Sequence, residues 1–131
     1  MTDARATDLE LQVLSVLWDR GTATVRDVMQ ALPDGKTRAY TTVLTILQLM
    51  EKKGLVRHTR KGLAYHYQPK VARQAVVAPV MRTLLQNVFG GDPSAVVQSL
   101  VDSATIDAEQ LKEIRRVINE AARQTREEDQ P

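Results

Sequence analysis

Apolar residues recur at helical spacing over most of this chain and switch to strand-like alternation in one stretch only. Leu9, Val13, Val16 and Leu17 form one stripe and Leu11, Leu14 and Trp18 a second, behind Thr7 or Asp8, either of which can cap a helix start. A helix that is apolar on two sides has to be covered on two sides, which makes it the central element of a small bundle. Asp19-Arg20-Gly21 ends it. Thr24 caps a second helix with Val25, Val28, Met29 and Leu32 as its core stripe, and Pro33-Asp34-Gly35 closes it by turn chemistry. A third helix starts at Ala39 or Tyr40, sends Val43, Ile46, Leu47 and Met50 to the core, and stops at Gly54.

The period then changes. Residues 55–60, the turn Lys61-Gly62, and residues 63–68 predict a β-hairpin, with Val56, Tyr65 and Tyr67 holding it to the core or to one another. A two-stranded hairpin is marginal by itself, so this one must lean on the helices. After Pro69, helical spacing resumes through Val77, Val80, Met81, Leu84, Leu85, Val88 and Phe89, and Pro79 requires that helix to begin just before it or to kink there. Gly90-Gly91 breaks the chain. Asp92-Pro93 supplies the cap and first residue of a short helix bearing Val96, Val97, Leu100 and Val101. Asp107 with Gln110 resembles a capping box for a last helix carrying Leu111, Ile114, Ile118 and Ala121, and the segment from Arg126 to Pro131 is expected to fray.

The predicted fold is mainly α with a small β-hairpin wing: a winged helix-turn-helix head over residues 1–70 and a C-terminal helical dimerisation region over residues 71–131. The three tail helices span about 50 residues, too few to bury so apolar a stripe among themselves. A two-fold pairing with a second copy buries it, which makes Val77, Val80, Met81, Leu84, Leu85, Val97, Leu100, Leu111, Ile114 and Ile118 the candidate dimer contacts. The alternative is a tail folded back onto the head as one monomeric core.

Charge sharpens the division. The net charge is only +2, but residues 1–70 hold 11 Lys/Arg against 7 Asp/Glu, whereas residues 71–131 hold 7 against 9. A basic head on an acidic tail suggests a local nucleic-acid face. The chain has no cysteine, which removes disulfides and thiolate metal sites. Met1-Thr2-Asp3-Ala4-Arg5 offers no apolar signal core, and no apolar run approaches membrane-spanning length, so a soluble cytoplasmic protein without membrane insertion is expected.

Lys36, Arg38, Lys52, Lys53, Arg57, Arg60 and Lys61 cluster within residues 36–61 against one acidic residue, Glu51. Opposite the core stripe of the third helix lie Thr41, Thr45, Gln48 and Lys52. Thr is a poor helix former, so a solvated face more usually carries Glu, Lys and Arg. Gln can pair with adenine, and Thr can touch a thymine methyl or a phosphate. Thr41, Thr42, Thr45 and Gln48 are therefore candidate base or backbone readers, and Arg38, Tyr40, Lys52, Arg57, Arg60 and Lys61 candidate phosphate contacts, which bring affinity and salt dependence rather than sequence choice.

Rival functions have less to stand on. There is no Gly-rich phosphate loop and no nucleophile–base arrangement, so no enzyme is expected. His58 and His66 lie on the two wing strands with no third ligand nearby; no metal or cofactor is expected. Glu10 and Asp27 read as solvated helix residues. A winged-helix protein-interaction module without specific DNA binding is the alternative function, for which Leu44 and Leu49 could form part of an apolar patch. A third variant adds a small-molecule pocket between head and tail, which no residue marks.

Trp18, Thr24-Val25-Arg26-Asp27-Val28, Ala39-Tyr40-Thr41-Thr42-Val43, Lys53-Gly54-Leu55-Val56, Tyr65-His66-Tyr67 and Phe89-Gly90-Gly91-Asp92 resemble, in order, the motifs of the BlaI/MecI/CopY penicillinase-repressor family, over roughly residues 7–120. The resemblance implies a homodimeric winged-helix repressor on inverted-repeat operators in double-stranded DNA, with the third helix in the major groove. In the antibiotic-resistance branch it also implies a membrane sensor protease that triggers cleavage of the repressor. The chain departs from the family in three places. Without cysteine, copper–thiolate sensing is not carried over. Ser99-Leu100 stands where the resistance repressors are cleaved at an Asn-Phe bond. Leu47-Gln48-Leu49-Met50 lacks the Arg of the family's Leu-x-Arg-Leu pattern.

Overall fold

The computed structural model describes residues 6–33 and 36–129. Asp34, Gly35, Gln130 and Pro131 lie outside the described residues, and with them most of the expected Pro33-Asp34-Gly35 turn and the last of the expected frayed end. Two compact units divide the chain, one running to Arg82 and the other from Thr83 onward.

The first unit is built from α1 (Asp8–Arg20), β1 (Ala23–Thr24), α2 (Val25–Ala31), α3 (Tyr40–Lys52), β2 (Val56–Lys61), β3 (Ala64–Pro69) and α4 (Arg73–Thr83). Local chemistry sets its helix ends. Thr7 caps α1 and Thr24 caps α2, each in a reciprocal capping box, with Glu10 and Asp27 as the returning carboxylates. The end of α3 is a Schellman motif. The Leu55 N–H donates to the Met50 carbonyl (2.9 Å) and the Gly54 N–H to the Glu51 carbonyl (3.1 Å). That closure needs a positive φ, which Gly54 supplies at 81°.

The core is one cluster. Val13, Leu14 and Leu17 of α1, Val28 of α2, Val43, Leu47 and Met50 of α3, and Val56 and Tyr67 of the sheet are all buried within it. Leu9, Trp18, Ile46 and Leu44 pack at its margin, and Leu11 is half-buried outside it. Tyr65 is not a core residue: it shares the face of β3 that carries Tyr67 but lies one pair nearer the hairpin tip, opposite Arg60, and is 44% exposed. Trp18 also ties α4 to the head. Its Nε1 donates to the Val71 carbonyl (2.9 Å), and Arg73 lies over its ring while reaching Asp19 (2.9 Å).

The expected hairpin belongs to a three-stranded antiparallel sheet of order β1-β3-β2. The extra strand, β1, pairs Ala23 with Tyr67 and Thr24 with His66, and covers the otherwise open edge of β3. Helix α4 begins at Arg73, well before Pro79, and continues past it to Thr83. Pro79 removes only the N–H that would bond the Ala75 carbonyl, which water can serve on this exposed helix.

Glu10 is not a solvated residue. It is 5% exposed, and its carboxylate accepts from the Thr7 N–H (2.9 Å) and from Lys53 Nζ (2.7 Å), joining the start of α1 to the end of α3. Asp27 is likewise engaged, accepting from the Thr24 N–H at 3.0 Å. Burial acts to raise the Glu10 pKa, but the Lys53 and Thr7 hydrogen bonds outweigh it and hold the carboxyl below its ordinary 4.5. A depressed folded-state pKa adds stability that is complete above 4.5 and is lost as pH falls through the lowered value.

The second unit holds a π-helical turn (Leu84–Val88), α5 (Pro93–Ser103) and α6 (Ala108–Glu128). Asp92 caps α5, with Pro93 at its first position, and Asp107 with Gln110 forms the capping box of α6. No described residue of this unit is buried.

Glu10→Gln is expected to lower stability at pH 7 by about 1–3 kcal/mol, the cost of a hydrogen bond to a charged group. The difference from the parent should close as pH falls through the lowered pKa of the parent carboxyl, which is then itself protonated. Urea unfolding followed by the fluorescence of Trp18 checks this; a gap independent of pH would mean that the ion pair is not its source.

Candidate nucleic-acid interface

Helix α3 buries Val43, Leu47 and Met50 completely, which leaves Thr41, Thr42, Thr45, Gln48, Leu49 and Lys52 exposed. The spacing 41, 45, 48, 52 aligns four of these along one face, antipodal to the core stripe. Thr45 Oγ1 donates to the Thr41 carbonyl (2.8 Å), so its hydroxyl proton is used within the helix. Its methyl group and oxygen lone pairs remain for a partner. The helix opens at Ala39 without a side-chain cap. Tyr40 is 43% exposed and lies beneath Arg26 of α2, the guanidinium 5.8 Å from the ring centroid. Arg26 is a cation beside the start of α3 that sequence spacing had not signalled.

The wing presents two faces. Strand register pairs Arg57 with Gln68, Thr59 with His66 and Lys61 with Ala64 on one, and His58 with Tyr67 and Arg60 with Tyr65 on the other. Arg57 and Lys61 therefore stand together, while Arg60 lies across the strand from them. Its Nε donates to the Gly62 carbonyl (3.1 Å) and its guanidinium sits 5.9 Å from the Tyr65 ring centroid. His58 packs edge-on to Tyr65 and holds the Glu51 carboxylate at 2.7 Å, linking the end of α3 to the wing.

The basic stretch thus divides by partner. Lys53 is committed to Glu10 and belongs to the scaffold; Glu51 is committed to His58. Lys52, Arg57, Arg60 and Lys61 are exposed, and Arg38 is half-buried. His58 and His66 are not cross-strand partners, and among the described residues no group of His, Cys, Asp or Glu is placed to hold a metal ion. Nor is any described helix long and apolar enough to cross a membrane. Leu44 packs against the core, leaving Leu49 as the exposed leucine of α3.

A helix with an exposed polar face, a following antiparallel wing and a covering edge strand make up a winged helix-turn-helix, and the penicillinase repressor profile matches residues 6–120. The chain belongs to the penicillinase repressor family. It is similar to the transcriptional regulator BlaI of Mycobacterium tuberculosis, 36% identical over 118 residues, covering 88% of this chain and 84% of that one. It is also similar to the penicillinase repressor of Bacillus licheniformis, 22% identical over 113 residues, covering 86% and 88%. The solution structure of monomeric Bacillus licheniformis BlaI in complex with the blaP half-operator overlaps 53% of this chain and 85% of that one, at 27% identity and a TM-score of 0.46. Family membership makes the chain a DNA-binding, winged-helix transcriptional regulator and not an enzyme. Ser99 and Leu100 lie inside α5.

Proposed function

We propose that this protein is a homodimeric repressor that occupies inverted-repeat operators, with α3 in the major groove and the wing on the backbone. The observation that carries the reading is the exposed Thr41–Thr45–Gln48–Lys52 face, fixed in direction by a fully buried stripe behind it and flanked by the cations of the wing. Thr41, Thr42, Thr45 and Gln48 contact base edges or nearby backbone. Arg38, Tyr40, Lys52, Arg57, Arg60 and Lys61 contact phosphates, Arg60 after leaving the Gly62 carbonyl or through its outer nitrogens.

Residues 1–70 then form the reading head and residues 71–131 the dimerisation region. Val80, Met81, Val97, Leu100, Leu111 and Ile118 are each 40–52% exposed, and Val77, Leu84, Leu85 and Ile114 half-buried, which is the state of an apolar stripe lacking its cover. A second copy supplies that cover and a matched half-site, so that the second head binds at high effective concentration. Repression follows from the dimer excluding polymerase from the promoter.

Fluorescence anisotropy on the DNA just upstream of the protein's own gene, with a scrambled duplex as control, tests the core of this reading. A preference of about 10³ or more with a steep salt dependence is expected of a specific repressor. Absence of binding to either duplex at low salt would remove the DNA reading.

With the Thr45 proton bound to the Thr41 carbonyl, the hydroxyl cannot donate to a base and the reading is assigned to the methyl group, so Thr45→Val is expected to retain operator preference. Thr45→Ala should lose about tenfold, the scale of one mismatched base pair. Equal losses for the two on the operator would assign the readout to the hydroxyl instead. In the tail, Leu111→Glu combined with Ile118→Glu should give a monomer by sedimentation and weaker operator binding. A variant that stays dimeric would move the interface off α6.

A further inference from the structure

Lys61 and Ala64 form the last pair of the hairpin, so its loop is the two residues Gly62 and Leu63. Gly62 has φ 64°, and positive φ among the described residues is confined to glycines. A positive φ at the first loop residue only defines a type II′ turn, the form whose twist matches paired antiparallel strands. Such a turn requires the glycine. It requires nothing apolar at the second position, where polar residues serve the exposed backbone equally well. Yet Leu63 occupies it at 95% exposure, the highest of any large apolar side chain among the described residues. It buries nothing and so contributes nothing to the core.

Its surroundings are ordered and cationic. Arg60 is bonded to the Gly62 carbonyl at 3.1 Å and rests over Tyr65, which braces the loop from one side. Lys61 precedes the loop and is exposed, and Arg57 shares its face of the sheet. A braced tip that offers one leucine between cations matches a surface with anionic rims and a narrow, partly apolar interior. The minor groove of duplex DNA is such a surface, with phosphates along both edges and deoxyribose C–H groups for walls. Leucine is among the side chains that proteins insert there. A protein or lipid partner would instead call for a contiguous apolar patch, and Leu63 stands between Lys61, Gly62 and Ala64.

We propose that Leu63 is an apolar finger of the wing that enters the minor groove beside the half-site, supplying affinity that does not depend on salt. This rests on the DNA-binding reading above. The test uses the full chain and a fluorescein-labelled duplex from upstream of its own gene, with the parent, Leu63→Ser and Lys61→Ala compared across about 50–200 mM salt.

Leu63→Ser is expected to melt at the parent temperature, bind about five- to tenfold more weakly, and keep the parent dependence of log K on log salt, because no counterion release is lost. Lys61→Ala should flatten that dependence by about one. Prior occupation of the duplex by netropsin, which fills the minor groove, should weaken the parent markedly more than Leu63→Ser. Parent-like affinity in Leu63→Ser, or an equal netropsin effect on both, overturns the finger while leaving the repressor reading in place. A parent that binds no duplex at any salt overturns both.

Discussion

The completely buried stripe Val43–Leu47–Met50 fixes the rotation of α3 about its own axis, and the direction of every proposed base contact follows from it. A helix can turn one face to a core; at 100° per residue the remaining faces are then determined. Had the stripe been ambiguous by one position, Thr45 and Gln48 would point elsewhere and the head would present a different surface. The two ends of α3 are held as firmly. At its C-terminus the Schellman closure at Gly54 and the Glu10–Lys53 pair act on neighbouring residues, and the same turn sets where β2 begins.

That arrangement separates charges that look alike in the sequence. Of two adjacent lysines, Lys52 lies on the exposed face with Thr41, Thr45 and Gln48, and Lys53 is drawn to the buried Glu10 carboxylate. An ion pair with one partner 5% exposed depends on its geometry, because removing the Lys53 charge leaves the Glu10 carboxylate poorly solvated. Glu51, the lone acid in the basic stretch, does not oppose the wing's field so much as anchor His58, which in turn packs on Tyr65 and Tyr67. The potential at the wing therefore comes from fewer residues than the count suggests, with Arg60 and Lys61 beside the tip and Arg57 near the start of β2.

What could be read from the sequence was whatever depends on neighbours in the chain. Thr7, Thr24, Asp92 and Asp107 cap the helices that follow them, and the apolar stripes of α1, α2 and α3 meet in one core, since both kinds of signal act within a turn or two of helix. What could not be read depends on distant partners. A two-residue strand such as β1 exists only because Tyr67 and His66 lie alongside it. Glu10 is buried because Lys53 arrives from the far end of α3, and nothing near Glu10 announces this. The side of the sheet on which Arg60 lies, across from Tyr65, follows from register, which one residue of slip would reverse. Pro79 does not stop its helix: α4 begins before it at Arg73 and runs on to Thr83.

The tail poses the remaining energetic question, because no described residue beyond Tyr67 is buried. Its longest helix, α6, satisfies many of its charges internally: Arg116 pairs with Glu113, and Arg123 with both Glu120 and Glu127, at the three- and four-residue spacings that stabilise a helix surface. Those charges make little demand on a partner. The unmet demand is the stripe of Leu111, Ile114, Val117 and Ile118, none of it buried. A polar or strongly charged partner would leave that stripe as costly as before. The proposed second copy would present the same residues across a two-fold axis, so that each apolar side chain meets an apolar neighbour. In the proposed dimer, the symmetry that buries the tail's stripe would also set two heads on matched half-sites, about 34–36 Å or a multiple apart along the duplex.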